Sequence, residues 1–221
     1  MINVKYATHK RPVFFDLAGA YITPESKVLD IGAGKGDFSD HFNRTDFYLF
    51  EGNPETAAIL RTRHPNTTEG LLPRLPYDDG FFDVIHCSHV VEHLQHQLFY
   101  DSLTEMDRCL KKGGVIIISA PLDWEGFFDD LSHVRPYPPS VYVRYMCDTE
   151  IHSRTRQAIS SAYKIDKLVY RYKKRDILSG FVNEKKSFAV KVALWALRKL
   201  QKHGLACYDK TGYTIVLKKG E

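Results

Sequence analysis

Short apolar runs alternate with longer amphipathic segments along the first two thirds of the chain. Strands are predicted where the apolar runs lie, at 27–31, 47–51, 82–87 and 115–119. Helices are predicted in the segments between and beside them, from about residue 37 and over 54–60, 88–94 and 97–110. Strands that alternate with helices are typical of a parallel sheet covered by helices on both faces. The sequence therefore predicts an α/β, doubly wound fold.

The pattern changes after Pro121. Residues 122–140 are rich in aspartate, aromatic residues and proline, and this stretch is longer than an ordinary connection, so it predicts a lid or a binding loop. The remaining elements predicted are a helix near 141–146, a strand within 165–172, a charged turn at 171–175, a helix over 185–203 and a last strand at 213–218.

Composition narrows the class of protein. The 221 residues are 43% hydrophobic and 26% charged, which indicates one globular domain. No stretch approaches the roughly 18 apolar residues that a membrane span needs, and the first residues lack the apolar run of a secretory signal. We therefore expect a cytoplasmic protein. Its four cysteines are far apart and form no C-x-x-C pair, which argues against a zinc knuckle or a disulfide framework.

Charge is distributed unevenly along the chain. Residues 1–130 hold 12 basic and 20 acidic residues, whereas residues 131–221 hold 19 basic and 7 acidic ones. A basic surface attracts anions such as nucleic acid, phosphorylated small molecules or an anionic membrane. The alternative is a solvated, lysine-rich surface without a partner.

Three glycines, Gly32, Gly34 and Gly36, lie at alternate positions where the first predicted strand turns into a helix. Glycine in such a turn lets the backbone approach a ligand closely. A nucleotide-triphosphate loop would need Ser or Thr after Lys35, where the chain has Gly36, so that interpretation fails. The dinucleotide fingerprint needs its third glycine one position later than Gly36 and fits poorly.

The turn D-I-G-A-G-K-G at 30–36 resembles the first motif of class I S-adenosylmethionine-dependent methyltransferases. Glu51 ends the second strand, 19 residues after Gly32, where an acidic side chain can accept both ribose hydroxyls. The segments 75–94 and 103–114 resemble two further blocks of this family, in its small-molecule branch that includes quinone-biosynthesis enzymes. The resemblance implies a Rossmann-like, mostly parallel seven-stranded sheet with an antiparallel last strand, here with a basic C-terminal helical addition.

The same resemblance implies S-adenosyl-L-methionine as the cofactor and divides the single domain, 1–221, into a cofactor-binding core, 1–121, and a substrate side, 122–221. The residues it assigns to the cofactor are Asp30, Gly32, Ala33, Gly34, Gly36, Glu51, Gly52, Leu72, Ser88 and His89. Asp30 is expected to orient the methionine part through the loop backbone. The sequence departs from the family at 70–74, which lacks the acidic residue that often binds adenine, so apolar contact from Leu71 and Leu72 is one replacement and Asp78 or a backbone carbonyl is another.

The acceptor side is expected in the long loop. His133 and Arg135 lie in a segment, H-V-R-P, that resembles methyltransferases acting on glycans. We expect His133 to be the general base, His93 to assist it, and Arg135 and Tyr137 to contact the substrate. The alternative is a polar loop whose side chains only hold the backbone. His89, His93 and His96 would share a helix face with metal-ligand spacing, but no cysteine or aspartate pattern completes a site, and no metal is predicted.

Absent motifs narrow the acceptor. The chain has neither an Asp/Asn-Pro-Pro-Tyr segment after the fourth strand nor a Pro-Cys nucleophile, which disfavours methylation of nucleic-acid bases. The helix over 185–203 carries six basic residues beside apolar ones, which predicts either peripheral membrane contact or packing on the domain. The function predicted is methylation of a small-molecule or glycan acceptor, at oxygen and with an anionic or phosphate-linked substrate. An RNA methyltransferase and a non-catalytic regulator are the alternatives.

Overall fold

A computed structural model describes residues 3–148, 150, 155–174, 188–202 and 207–221. Its centre is one seven-stranded sheet with the order β3-β2-β1-β4-β5-β7-β6. The strands are β1 (Val28–Ile31), β2 (Tyr48–Glu51), β3 (Thr67–Glu69), β4 (Phe82–Ser88), β5 (Leu110–Pro121), β6 (Tyr163–Lys174) and β7 (Tyr208–Lys219). The first five strands pair in parallel, and β7 pairs antiparallel with both β5 and β6. This is the class I methyltransferase fold that the sequence predicted.

Six α-helices accompany the sheet in the described residues. They are α1 (Pro12–Phe15), α2 (Asp37–His41), α3 (Pro54–Arg61), α4 (His96–Cys109), α5 (Pro139–Met146) and α6 (Phe188–Lys202). Local sequence explains the start of α3, because the Asn53 side chain accepts a hydrogen bond from the Thr56 amide and Pro54 occupies the first turn. Helix α4 buries one face, which includes Phe99, Leu103 and Met106. That burial fixes the segment that precedes α4 against the sheet.

Two apolar clusters form the core, and the sheet separates them. The larger cluster joins one face of β1, β4, β5 and β7 to α4 and α5, and the smaller one joins the other face to α1 and α2. Strands β4 and β5 are buried on both faces, which explains why they appear as unbroken apolar runs in the sequence.

Several predicted boundaries differ from the structure. Strand β3 was not predicted, because Thr67–Glu69 has three residues and no apolar run. The helix predicted over 88–94 is wrong: β4 extends to Ser88, His89 has a left-handed φ of 57°, and only Val91–His93 form a short 3₁₀ turn. The charged turn predicted at 171–175 is wrong for its first four residues, which continue β6. Residues 175, 185–187 and 203 lie outside the described residues.

Candidate active site

A cleft of about 340 Å³ opens at the carboxyl ends of β1 and β2. Its lining residues are Ile31, Gly32, Phe50, Glu51, Gly52, Gly70, Leu71, Leu72, Val90, Leu94 and Leu98. Open α/β sheets bind ligands at this edge, and the volume lies in the range of ordinary ligand pockets. Four residues that the sequence assigned to the cofactor, Gly32, Glu51, Gly52 and Leu72, lie on this wall.

The glycine turn needs its glycines for two different reasons. Gly32, Gly34 and Gly36 have φ values of 69°, 56° and 84°, a region that side chains with a Cβ rarely adopt. At Gly32 a Cβ would also lie 2.3 Å from Val90 Cγ2, so this glycine allows the segment after β4 to pack on the turn. At Gly34 a Cβ would meet nothing within 4 Å, which leaves the backbone open on that side.

Glu51 holds the turn in place. One carboxylate oxygen accepts the Gly34 amide hydrogen at 2.8 Å, and the other accepts the Asn53 amide hydrogen at 2.9 Å. The side chain is half-buried, and each carboxylate oxygen keeps a further lone pair for a ligand. A carboxylate at this position can therefore accept hydrogen bonds from two neighbouring ribose hydroxyls while it fixes the loop.

The rest of the cleft is mostly apolar. Phe50, Leu71 and Leu72 form its wall, and a Cβ at Gly70 would lie 2.6 Å from the Phe50 ring. The cleft combines an apolar slot, a carboxylate that can bind ribose and an open glycine backbone. These features suit the adenosine and methionine parts of S-adenosylmethionine. The residues present therefore fit this cofactor, with apolar contact from Leu71 and Leu72 in place of an acidic adenine partner.

Asp30 has a different partner from the one expected. Its carboxylate accepts a hydrogen bond from His86 Nδ1 at 2.7 Å, and both residues are buried in the register between β1 and β4. The His86 ring is stacked on Phe38 at 3.7 Å. The loop amide of Gly34 is held by Glu51 instead. These contacts therefore do not support the expectation that Asp30 orients the cofactor through the loop backbone.

Ser88 and His89 were assigned to the cofactor, but in the described residues neither lines the cleft. The Arg171 Nη2 atom lies 3.1 Å from His89 Nε2, and arginine can only donate, so Nε2 must accept. The hydrogen of His89 is then on Nδ1, which donates to Glu92 Oε1 at 2.9 Å. Burial lowers the pKa of His89, which agrees with a neutral ring.

Glu92 and Arg171 were not predicted as site residues. Glu92 is 1% exposed, and its second oxygen, Oε2, has no hydrogen-bond partner in the described structure. Arg171 is buried on β6, where it also lies over the Phe14 ring at 4.8 Å, and burial lowers its pKa. No local pattern marks Arg171, because its role depends on β6 lying on the far side of β7.

His93 and His133 lie in contact, although 40 positions separate them. Their ring centroids are 5.1 Å apart. His93 Nδ1 donates to the Ser132 carbonyl at 3.1 Å and His133 Nδ1 donates to the Phe127 carbonyl at 2.6 Å. A carbonyl can only accept, so the neutral form of each ring carries its hydrogen on Nδ1 and has a lone pair on Nε2. The long loop thus brings together the two histidines that the sequence assigned to catalysis.

Arg135 and Tyr137 continue the same loop. Arg135 is exposed, whereas Tyr137 is mostly buried and donates its hydroxyl hydrogen to the Leu94 carbonyl at 2.8 Å. Both line a groove of about 420 Å³ that also contains Arg156. The groove has two arginines and several tyrosines on its wall. Tyr137 therefore anchors the loop, and Arg135 is the residue free to meet a ligand.

Helix α6 exposes apolar side chains. Val190, Val192 and Trp195 are 39%, 47% and 58% exposed, and Lys199 Nζ lies over the Trp195 ring at 4.5 Å. Packing on the domain therefore does not cover these three residues. The side chains of Phe188 and Leu200 lie outside the described residues. Among the described residues, no helix is both long and apolar enough to cross a membrane.

Comparison with known proteins defines the class. Residues 7–159 match the family model of a methyltransferase domain. The chain therefore belongs to this methyltransferase family and has the class I fold, and the residues of its cleft fit S-adenosylmethionine.

Curated relatives match part of the chain. Over 129 residues the chain is 30% identical to the ubiquinone/menaquinone biosynthesis C-methyltransferase of Burkholderia mallei. The match covers 53% of this chain and 52% of the relative. The chain thus spans about half the length of the curated relatives it matches.

Among solved structures, a SAM-dependent methyltransferase from Archaeoglobus fulgidus matches with a TM-score of 0.62 and 18% identity, over 95% of each chain. Geranyl diphosphate C-methyltransferase from Streptomyces coelicolor, in complex with S-adenosyl-L-homocysteine, matches with a TM-score of 0.59 and 13% identity, over 95% of this chain and 76% of that one. At these identities the likeness shows the fold.

Proposed function

We propose that the chain transfers the methyl group of S-adenosylmethionine to an oxygen atom of a small, anionic acceptor, such as a phosphate-linked molecule or a glycan. The observation that carries this proposal is the pair of Nε2 atoms on His93 and His133, which can accept a proton when the rings are neutral and which adjoin a segment that lines the cofactor cleft. Val90 and Leu94, which flank this part of the chain, line that cleft. A hydroxyl acceptor needs a group that removes its proton, and neutral imidazole supplies it.

The residues act by position and by charge. Bound S-adenosylmethionine supplies an electrophilic methyl group on a sulfonium sulfur. Gly32, Gly34 and Glu51 hold the cofactor, so that donor and acceptor meet in a fixed geometry. His133 Nε2 takes the acceptor proton, its ring held by the Nδ1–H bond to Phe127. The Asp130 carboxylate lies 3.9 Å from that Nε2.

Arg135 and Arg156 support an anionic acceptor. Both lie on the groove beside the loop, and a guanidinium pairs well with phosphate and carboxylate. In this proposal the single domain has a cofactor core, 1–121, and a substrate side, 122–221, that carries both arginines. The exposed apolar residues of α6, with Lys191 and Lys199, would add peripheral contact with an anionic membrane.

A second candidate is transfer to carbon. The curated relatives are C-methyltransferases of ubiquinone/menaquinone biosynthesis, which favours an aromatic ring carbon as the acceptor atom. Activation of such a ring also needs a base near the cofactor, so the same histidines would serve both reactions. The identity of the methylated atom therefore separates the two candidates.

The test supplies methyl-tritiated S-adenosylmethionine and panels of phosphorylated sugars, glycans, quinols and RNA to the purified chain, and locates the new methyl group by NMR. We expect an O-methyl product from an anionic small molecule, and at least 100-fold less with His133→Asn at unchanged cofactor binding. A C-methyl product would establish the second candidate instead. RNA as the acceptor, or bound cofactor with no product from any panel, would contradict the proposal in favour of an RNA methyltransferase or a regulator.

A further inference from the structure

Three ligand groups converge at the 3₁₀ turn after β4. One nitrogen of His93, one nitrogen of His133 and one carboxylate oxygen of Glu92 lie within 4.8 Å of one another. Two histidines and one carboxylate form the ligand set of many catalytic zinc and iron sites, in which further positions stay open for water or substrate. Proximity alone is weak support, because clusters of polar side chains are common without an ion.

The unpartnered oxygen of Glu92 is the second observation. A buried polar atom without a hydrogen bond costs free energy, so such atoms are rare in native proteins. Glu92 Oε1 is bound by His89 Nδ1, whereas Oε2 is buried and lacks a partner in the described structure. A cation at this position would satisfy Oε2 and neutralise a carboxylate that is almost fully buried.

The hydrogen bonds around the three ligands are those that metal ligands need. A ligating histidine usually donates its other N–H to a carbonyl or a carboxylate, which fixes the tautomer and the ring orientation. His93 and His133 both donate Nδ1–H to backbone carbonyls, and this leaves Nε2 as the donor atom. The backbone of Glu92 is also fixed, because its carbonyl accepts the amide hydrogens of Val134 and Arg135 at 2.8 and 3.3 Å.

We propose that Glu92, His93 and His133 bind a divalent transition-metal cation of the Zn²⁺ type, with an open position that faces the acceptor. His89 acts as a positioning residue, since its bond to Oε1 aims the carboxylate. The binding itself does not depend on methyl transfer, but the ion's role rests on the proposed function. A bound cation would make a ligated hydroxyl acidic enough to lose its proton to solvent water, which would replace proton transfer to His133 Nε2. This proposal departs from the expectation, drawn from the sequence, that no metal is bound.

The test measures metal binding without cofactor or acceptor. Tag-free, chelator-treated chain carrying Cys207→Ser, which removes an exposed thiol that would compete for zinc, is titrated with ZnCl₂ by calorimetry. A titration with CoCl₂ provides an absorption spectrum of the site. We expect one Zn²⁺ per chain with a micromolar or tighter dissociation constant. His93→Asn and His133→Asn should each weaken binding at least tenfold.

His96→Asn is the matched control, because His96 is exposed three positions after His93 and lies outside the cluster. It should bind zinc as the parent chain does. Absence of binding, or equal losses in all three variants, would overturn the proposal. Because Glu92 is buried, a Glu92→Gln variant could unfold, so thermal melts of the histidine variants with and without zinc provide an independent measure of zinc binding. Zinc should raise the melting temperature of the parent chain and not that of His93→Asn.

The two proposals fail separately. If the chain methylates an acceptor after chelation at an unchanged rate and binds no zinc, the metal site is refuted and the methyl-transfer proposal stands. If zinc binds as described and no acceptor is methylated, the proposed function fails while the metal site stands.

Discussion

Replacement of Glu51 by alanine tests the cofactor site most directly. The carboxylate fixes the Gly34 and Asn53 amides at 2.8 and 2.9 Å, and in the complex it would accept two ribose hydroxyls. A hydrogen bond to a charged group contributes about 1.5–3 kcal/mol. Because Glu51 is half-buried, we take the lower value for each hydroxyl, which gives a loss of about 3 kcal/mol. Every 1.4 kcal/mol is a factor of ten, so affinity should fall about 100-fold.

The assay is calorimetric titration of S-adenosylmethionine and S-adenosylhomocysteine into the wild type, Glu51→Ala and Glu51→Gln. The glutamine variant keeps one acceptor oxygen and should lose about tenfold in affinity, less than the alanine variant. Glu55→Ala is the control, since Glu55 is an exposed acid in the first turn of α3 and lies outside the cleft. Circular dichroism melts confirm that each variant is folded.

The reasoning would be refuted by a folded Glu51→Ala variant whose affinity stays within threefold of wild type. An equal loss in Glu55→Ala would refute it as well, because the effect would then come from general charge and not from a ribose contact. A folded wild type that binds neither compound would contradict the cofactor site as a whole.

Two further predictions concern backbone strain and thiol accessibility. Gly34→Ala should lower the free energy of unfolding by about 1 kcal/mol, the cost of a left-handed residue. Gly36→Ala should lower it further, because its Cβ would also lie 3.1 Å from His64 Nε2. Urea titrations that reverse this order would contradict the packing around the turn. Cys207 is exposed, whereas the other three cysteines are buried with raised pKa values, so one thiol per native chain should react rapidly with a disulfide reagent at pH 8, and two or more fast thiols would disprove this burial.

The cofactor half of the protein could be predicted from the sequence to a large extent. The alternation of strands and helices, the glycine turn at 32–36 and the acid at the end of β2 all appear in the structure where the sequence placed them. These features are local, since a glycine with positive φ and an acid at a strand end are defined by a few neighbouring residues. The partner of Asp30 was not predicted for the opposite reason: His86 lies on the neighbouring strand β4 and is 56 positions away in the sequence.

The acceptor side could be predicted only in part. His93 and His133 were proposed separately, and their convergence depends on how the loop after β5 folds back over residues 92–93. Glu92 was explained as part of a family motif, so its buried, unpartnered oxygen was not anticipated. Residues 88–94 were predicted to form a helix, yet the His89 amide donates to the Ser119 carbonyl at 2.8 Å, which continues the pairing of β4 with β5 into the start of this segment.

The sequence by itself determined the class of fold and the positions of the glycine turn and of the acid that ends β2, because the backbone conformations of strand, glycine turn and helix are set by near neighbours and by the period of apolar residues. The tertiary structure alone decided which distant side chains meet. Strand β7 lies between β5 and β6 and brings Arg171 to His89, and the loop after β5 brings His133 to His93. Such contacts follow from the order of strands in the sheet and from burial, and no spacing within the chain encodes them locally.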